Sequence, residues 1–324
     1  MNHVAFKTTI EGEYKIVVKN TSTGVETESD WFSNLITDQG LDRLGYSGPT
    51  GEFNPYFKYC RVGTGTGIPY NSQQDLEAQI AASTPNSANN TGNALSAVSE
   101  GAPNWGSLLT FGFPFAQGAV VGNISEVGVA WTATGPTLFS RALIVDGANQ
   151  PTTITVTAID QLTVYYRVRI LPPLSDSIGT VVLAGTTHTY TSRFSQVQNP
   201  ADIRTLAGHQ HFLNPNTFNA VNNTYPPGTA LGDIYGTPGT GGLYGGATGA
   251  KGTAGAYVYA QGSLYSDSVW TWNTGQGNSG GIQVIKMHWG DSQAFRFQIH
   301  FDPPIPKDNT KVLSLTMRFS WGRP

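Results

Sequence analysis

A chain of 324 residues is long for one hydrophobic core and suits two domains of about 160 residues each. Eighteen basic against twenty-one acidic side chains leave a formal charge of −3, too weak and too mixed for the electropositive footprint that a phosphate backbone demands, so nucleic acid is not an expected partner. The single cysteine, Cys60, excludes an internal disulfide, and no run approaches the roughly 18 apolar residues of a membrane-inserted helix.

The N-terminus, from Met1 through Lys7 to Lys15, lacks the apolar core and cleavage site of a secretory signal, so synthesis in the cytoplasm is expected. Only 12% of residues are charged, while Thr, Ser, Asn and Gly are abundant beside β-branched and aromatic residues. That balance suits short strands and many turns, and the expected class is all-β. Phe32-Ser33 leads into Leu35, Leu41 and Leu44, with Thr37 placed as the N-cap of a short helix and Gly45 as its left-handed C-cap. Tyr59 to Val62 reads as a strand, and Val62-Gly63-Thr64-Gly65-Thr66-Gly67 after it as a glycine turn, because dinucleotide spacing and a βαβ context are both missing. A long polar excursion, Ala82 to Asn104, precedes a strand from Glu126 to Trp131, whose tryptophan is an expected core anchor. Leu162, Val164, Tyr166, Val168 and Ile170 then alternate with Thr163, Tyr165, Arg167 and Arg169, which predicts one buried and one wet face.

Leu171-Pro172-Pro173-Leu174 reads as a join, giving domains 1–173 and 174–324. Beyond it the plan repeats. Phe194-Ser195 leads into Val197, Ile203 and Leu206, with Asn199 as N-cap, Pro200 in the first turn and Gly208 as the stop. A second excursion, Asn214 to Gly262, includes the glycine-dense stretch Gly236 to Gly255. Val284 to Trp289 matches the earlier tryptophan-bearing strand, and Leu313, Leu315, Met317, Phe319 and Trp321 match the closing alternation, with Arg318 at the position of Arg167. The expected architecture is two tandem, duplicated β-sandwiches, the second diverged, each with a short helix and a long polar loop.

No Gly-x-Ser-x-Gly elbow is present, Asp160 and Asp302 are the carboxylates considered as a pair, and Gly246-Ala247-Thr248-Gly249-Ala250-Lys251-Gly252 lacks the Ser or Thr of a phosphate loop. The expected protein is therefore not an enzyme and carries no cofactor. His209-Gln210-His211 is the one candidate metal feature: on an extended segment both imidazoles face one side, and a threefold axis would gather six nitrogens around an iron-type ion. An ordinary polar role after a helix is the alternative. Tyr225, Tyr235, Tyr244, Tyr257, Tyr259 and Tyr265, in and beyond the glycine-rich stretch, are candidates either for a sugar-stacking platform or for anchors in a protein interface.

The segment Asn34-Leu35-Ile36-Thr37-Asp38-Gln39-Gly40-Leu41-Asp42-Arg43-Leu44 resembles one found near the start of tailed-bacteriophage tail and fibre-type proteins. Val62-Gly63-Thr64-Gly65, Ile124-Ser125-Glu126-Val127-Gly128 and Phe139-Ser140-Arg141-Ala142 resemble the strand, turn and hairpin that follow in that family. The resemblance spans most of residues 14 to 170 and implies a virion structural protein of the tail, whether baseplate, tail tip or fibre attachment, that works by symmetric assembly. The implied partners are other virion proteins and further copies of the chain, with a trimer fitting the symmetry. A module binding host-surface glycan, or a head-decoration or neck protein, is the alternative.

Overall fold

A strand that the sequence reading did not single out, at the N-terminus, sets the architecture. In the computed structural model, which describes residues 3–45, 57–84, 96–99, 107–171, 173, 175–195, 223–231, 252–278, 280–289 and 295–324, it is β1 (His3–Asn20). Val4, Phe6, Thr8, Ile10, Gly12, Tyr14 and Ile16 point inward at every second residue, as strand geometry requires. β1 lies inside a nine-stranded sheet ordered β17 (Thr253–Tyr259), β18 (Tyr265–Trp272), β21 (Leu313–Gly322), β1, β13 (Asp160–Leu171), β8 (Ser107–Pro114) and β7 (Ser96–Ser99). Two short strands, β2 (Glu26–Glu28) and β3 (Phe32–Ser33), also pair with β1.

β1 changes partner along its length. From His3 opposite Thr316 to Thr9 opposite Gly322 it runs parallel to β21. From Thr9 opposite Leu171 to Asn20 opposite Asp160 it runs antiparallel to β13 on its other edge. The expected join after Leu171 therefore separates the chain but not the sheet: residues 174–324 borrow a strand from residues 1–173. The described residues are all-β apart from one short helix.

Two five-stranded sheets complete the layers. The first is ordered β4 (Leu35–Ile36), β11 (Leu138–Leu143), β10 (Glu126–Ala130), β5 (Tyr59–Gly63) and β6 (Gln79–Ser83). The second is ordered β14 (Ser177–Leu183), β15 (Thr186–Ser195), β20 (Phe295–Ile305), β19 (Ile282–Trp289) and β16 (Asn223–Tyr225), while β9 (Gly122–Ile124) and β12 (Ile154–Val156) pair separately. Aromatic rings join the layers. Phe57 lies 4.8 Å from Phe139, 5.1 Å from Phe111 and 5.4 Å from Tyr166, which itself stands 4.9 Å from Tyr14. On the other side Phe6, from the start of β1, packs 4.8 Å from Phe297, which also meets Phe194 at 5.4 Å.

The helix α1 (Asp38–Leu44) opens on Thr37 as expected: its Oγ1 accepts the Gly40 N–H at 3.0 Å and donates to the Leu138 carbonyl at 2.6 Å. A Cβ on Gly40 would run into the Phe139 carbonyl, so glycine lets the helix lie against β11. Gly45 does not take the left-handed conformation expected of it, since its φ is −76° and its ψ −17°. Its lack of a side chain serves packing instead, because the Tyr259 ring occupies the space a Cβ would need. The helix is also tied to the last strand and the residue beyond it, where Trp321 Nε1 donates to the Leu41 carbonyl at 2.7 Å and Arg323 Nη2 to Asp38 Oδ1 at 2.7 Å.

The two excursions are not wholly loop. β7 lies in the first, and β16 and β17 in the second, where Tyr257 and Val258 pair with Ser268 and Asp267. The second helix expected after Asn199 lies outside the described residues. Trp131 is partly buried against the core. On the outer face of the large sheet, Arg167 meets Glu13 at 2.6 Å and covers Trp31 at 4.1 Å, while Arg318 meets Asp267 at 2.7 Å and covers Tyr265 at 3.6 Å.

Because Phe6, on the first strand, is buried in the core against Phe297 of β20, Phe6→Ala should cost about 3–5 kcal/mol in denaturant unfolding of the full chain. A loss below about 1 kcal/mol, the scale of a substitution at an exposed site, would show that β1 is not held in that core.

Candidate functional site

Three charged side chains sit inside otherwise apolar strands of the first five-stranded sheet: Arg61 on β5, Glu126 on β10 and Arg141 on β11 are all buried. In the glycine turn after β5, Gly65 N–H donates to Glu126 Oε1 at 3.0 Å. Ala78 N–H donates to the same oxygen at 2.7 Å, and Glu77 N–H to Oε2 at 3.0 Å. Arg141 Nε completes the set at 2.8 Å from Oε2. One carboxylate thus gathers three backbone donors and a guanidinium, the arrangement that makes a buried charge tolerable. A Cβ on Gly65 would come within 2.6 Å of Glu126 Oε1, which explains the glycine and leaves the turn no phosphate-binding role to account for.

Arg141 Nη1 donates to the Gly67 carbonyl at 2.8 Å and to Gln73 Oε1 at 3.0 Å, and its Nη2 faces Glu77 Oε2 at 3.6 Å. Arg61 does the same work on the neighbouring turn. Its Nη1 meets Asp75 at 2.6 Å and the Gly135 carbonyl at 2.8 Å, and its Nη2 the Thr132 carbonyl at 2.8 Å. Burial pulls the Arg61 guanidinium below its ordinary value, with Asp75 opposing the shift. Ser140, next to Arg141 on β11, bonds Tyr14 Oη at 2.7 Å, and burial raises the phenols of Tyr14 and Tyr166 well above their usual range.

Above this framework lies a cleft of about 460 Å³ lined by Gly67, Tyr70, Gln73, Asp75 and Glu77, with Arg141 among its lining groups. Ile68 and Tyr70 stand exposed beside it. Its chemistry is that of a polar binding surface: hydroxyl or amide groups of a ligand would find the Asp75 and Glu77 carboxylates as acceptors and the Tyr70 ring as a stacking face.

Of the residues singled out in the sequence, Tyr225 is buried at 3% exposure on β16, and so acts as a core residue of this chain and not as a surface anchor. Tyr259 stacks 5.6 Å from Trp321, and its hydroxyl donates to Asp42 of the helix. Burial and the Asp42 carboxylate push its phenol up. Tyr257 is on β17, and Tyr265 lies under Arg318. His209, His211, Tyr235, Tyr244 and the Gly246 to Gly252 run lie outside the described residues. Asp160 and Asp302 are not brought together. Asp160 is bonded by Asn20 and Thr157 at the start of β13, whereas Asp302 is on β20 in a different sheet. Among the described residues no three His, Cys, Asp or Glu side chains gather around a point fit for a metal ion. The buried Arg61, Glu126 and Arg141 were visible only as charges interrupting apolar runs in a chain poor in charge.

No protein-family model, curated protein or solved structure matches the chain.

Glu126→Gln keeps the shape of the side chain but leaves Arg141 buried beside a neutral amide, so unfolding free energy should fall by about 3–5 kcal/mol. An unchanged denaturation midpoint would show that the pair is not desolvated. In the second five-stranded sheet, Lys286 is buried opposite Gln298, and burial lowers its ammonium to about 8 from 10.5. Between those values the unfolded chain binds more protons than the native one, so the contribution of Lys286 to stability rises with pH across that window. Wild-type stability measured from about pH 8 to pH 10 should therefore climb relative to Lys286→Met. Parallel curves would count against a buried ammonium.

Proposed function

We propose that the chain is a structural protein of a tailed-bacteriophage particle, a baseplate, tail-tip or fibre-attachment component that works by symmetric protein–protein assembly and not by catalysis. The observation that carries this reading is how the family-like segments are used. Thr37 and Gly40, Gly65, Glu126, and Ser140 with Arg141 come from four separated stretches, and they meet as the framework of one sheet and its turns. The residues on which the likeness rests hold a scaffold rigid, as an assembly protein requires.

We also infer that the chain is two diverged copies of one sandwich. The order β4, β11, β10, β5 has its counterpart in β15, β20, β19, β16, and β13, β8, β7 in β21, β18, β17. Taken along the chain, both sets run in the same sequence. Arg167 and Arg318 each pair with a carboxylate on an adjacent strand and cover an aromatic ring, Arg167 toward β1 and Arg318 toward β18, a difference that fits divergence of the copies.

A module binding host-surface glycan is the second reading, favoured by the polar cleft beside the exposed Tyr70. Detection of the chain in purified phage particles, followed by its position in a map of the intact virion, tests the first reading. Absence from the particle overturns it. Particles that assemble normally but lose glycan binding on Tyr70→Ala would favour the second.

A further inference from the structure

The segment from Gly67 to Glu77 contains no helix or strand, yet it is pinned along its length. Gln73 N–H closes a turn on the Tyr70 carbonyl at 3.1 Å, and Asp38 N–H, at the start of α1, donates to the Asn71 carbonyl at 2.8 Å. The Gln74 carbonyl accepts from Leu138 N–H at 3.1 Å and from Gln39 Nε2 at 3.0 Å. Gly67 N–H donates to Glu77 Oε2 at 2.6 Å, which draws the two ends of the segment together. A loop fixed in this way has little ordering entropy left to lose when a ligand binds.

The cleft bordered by this loop offers hydrogen-bonding groups of both kinds. Asp75 and Glu77 are half-exposed, so their carboxylates are open to a ligand as acceptors. Arg141 is the converse: it is only 1% exposed, it lines the cleft, and among the described residues its Nη2 has no hydrogen-bond partner. Glu77 Oε2 stands 3.6 Å from that nitrogen, too far for a hydrogen bond. A buried donor without an acceptor is costly, so the site favours an occupant that brings one. An oxygen that enters as the half-exposed Glu77 side chain gives way can accept from Nη2 and donate to the carboxylate.

That pairing of groups selects the ligand. A cation brings donors alone and meets Arg141 as a like charge, whereas an anion brings acceptors alone and meets two carboxylates. A hydroxyl both donates and accepts. Two carboxylates against one guanidinium leave the lining negative, which counts further against an anion. Tyr70, at 58% exposure, and the exposed Ile68 stand at the mouth, where they offer an apolar face to a ring whose hydroxyls lie at its rim. The volume of about 460 Å³ falls within the range of ~300–1,000 Å³ that takes small ligands.

We propose that this cleft binds an uncharged sugar, whose adjacent hydroxyls donate to Asp75 and Glu77 and accept from Arg141 Nη2 while one face of its ring lies on Tyr70. The inference rests on the glycan-binding reading and narrows it: the bound ring carries no carboxylate, sulfate or phosphate.

An array of neutral oligosaccharides beside sialylated, uronate-bearing and sulfated ones, probed with the full chain, should show binding to neutral members. Titration calorimetry with the strongest neutral binder should give a Kd that changes less than about twofold between about 50 and about 500 mM salt, because no net charge is paired on binding. Tyr70→Ala should weaken that Kd about threefold to tenfold, and Tyr70→Phe, which keeps the ring, should leave it unchanged. Glu77→Gln balances the charge of the lining, so the preference for neutral over acidic glycans should fall about fivefold or more. Circular dichroism and melting establish that each variant is folded; should Glu77→Gln fail to fold, the salt series and the Tyr70 pair decide. Binding confined to acidic glycans, equal binding of acidic and neutral ones, or a salt-sensitive affinity overturns the inference and leaves the glycan-binding reading standing. Neutral-glycan binding indifferent to Tyr70→Ala does the same, since the sugar then sits elsewhere. No binding to any member of the array overturns both, and none of these outcomes bears on whether the chain is found in the particle.

Discussion

The structure depends on one strand having two edges. β1 gives one edge to β13 and the other to β21, and its inward side chains reach different parts of one core: Phe6 packs against Phe297, Tyr14 against Tyr166. A pleated strand presents the same inward face throughout, so the apolar alternation from Val4 to Ile16 serves both parts of that core. The parallel pairing of His3 with Thr316 brings the chain termini together, a contact of very large sequence separation whose loop-closure entropy must be met before its hydrogen bonds form. The second half is thus completed by the first residues of the chain, and the helix α1 is fastened from the far side by Trp321, Arg323 and Tyr259.

The buried charges answer a different requirement. Turns that dip toward the core bring carbonyls and N–H groups away from water, and each needs a partner. Arg61 supplies donors to Thr132 and Gly135, Arg141 to Gly67, and Glu126 accepts from Gly65, Glu77 and Ala78. Such pairs contribute little net stability over a well-packed apolar alternative, yet they tolerate only one arrangement of the turns around them. The walls of the cleft around Tyr70 inherit that fixed shape. Turns fixed in this way above a sheet are what the proposed role in assembly would call for.

Short-range rules were legible wherever the residue chemistry was local. Thr37 as a cap, β5 at Tyr59, and the alternation of β13 and β21 all follow from φ/ψ preference and period-two burial. The glycines were harder to read. Gly45 looked like a left-handed stop and is a contact point for Tyr259, a residue more than two hundred positions away. Tyr225 looked like an exposed anchor and is core, because β16 pairs with β19. Strand β17 was hidden inside a run of Gly, Thr and Ala, and the three-residue β16 between asparagine and proline, where neither pattern nor propensity separates a paired strand from a loop.

By itself the sequence determined the β class, the one described helix and the inward faces of β13 and β21, because those depend on neighbours within a few residues. Which strand lies beside which was decided only in three dimensions: nothing in residues 3 to 9 announces β21 as their partner, since an unpaired strand edge looks alike to every extended segment of compatible pattern. The same holds for Arg61, Glu126 and Arg141. Their burial is tolerable only because turns from distant parts of the chain bring unpaired backbone groups to them, and that convergence is a property of the fold.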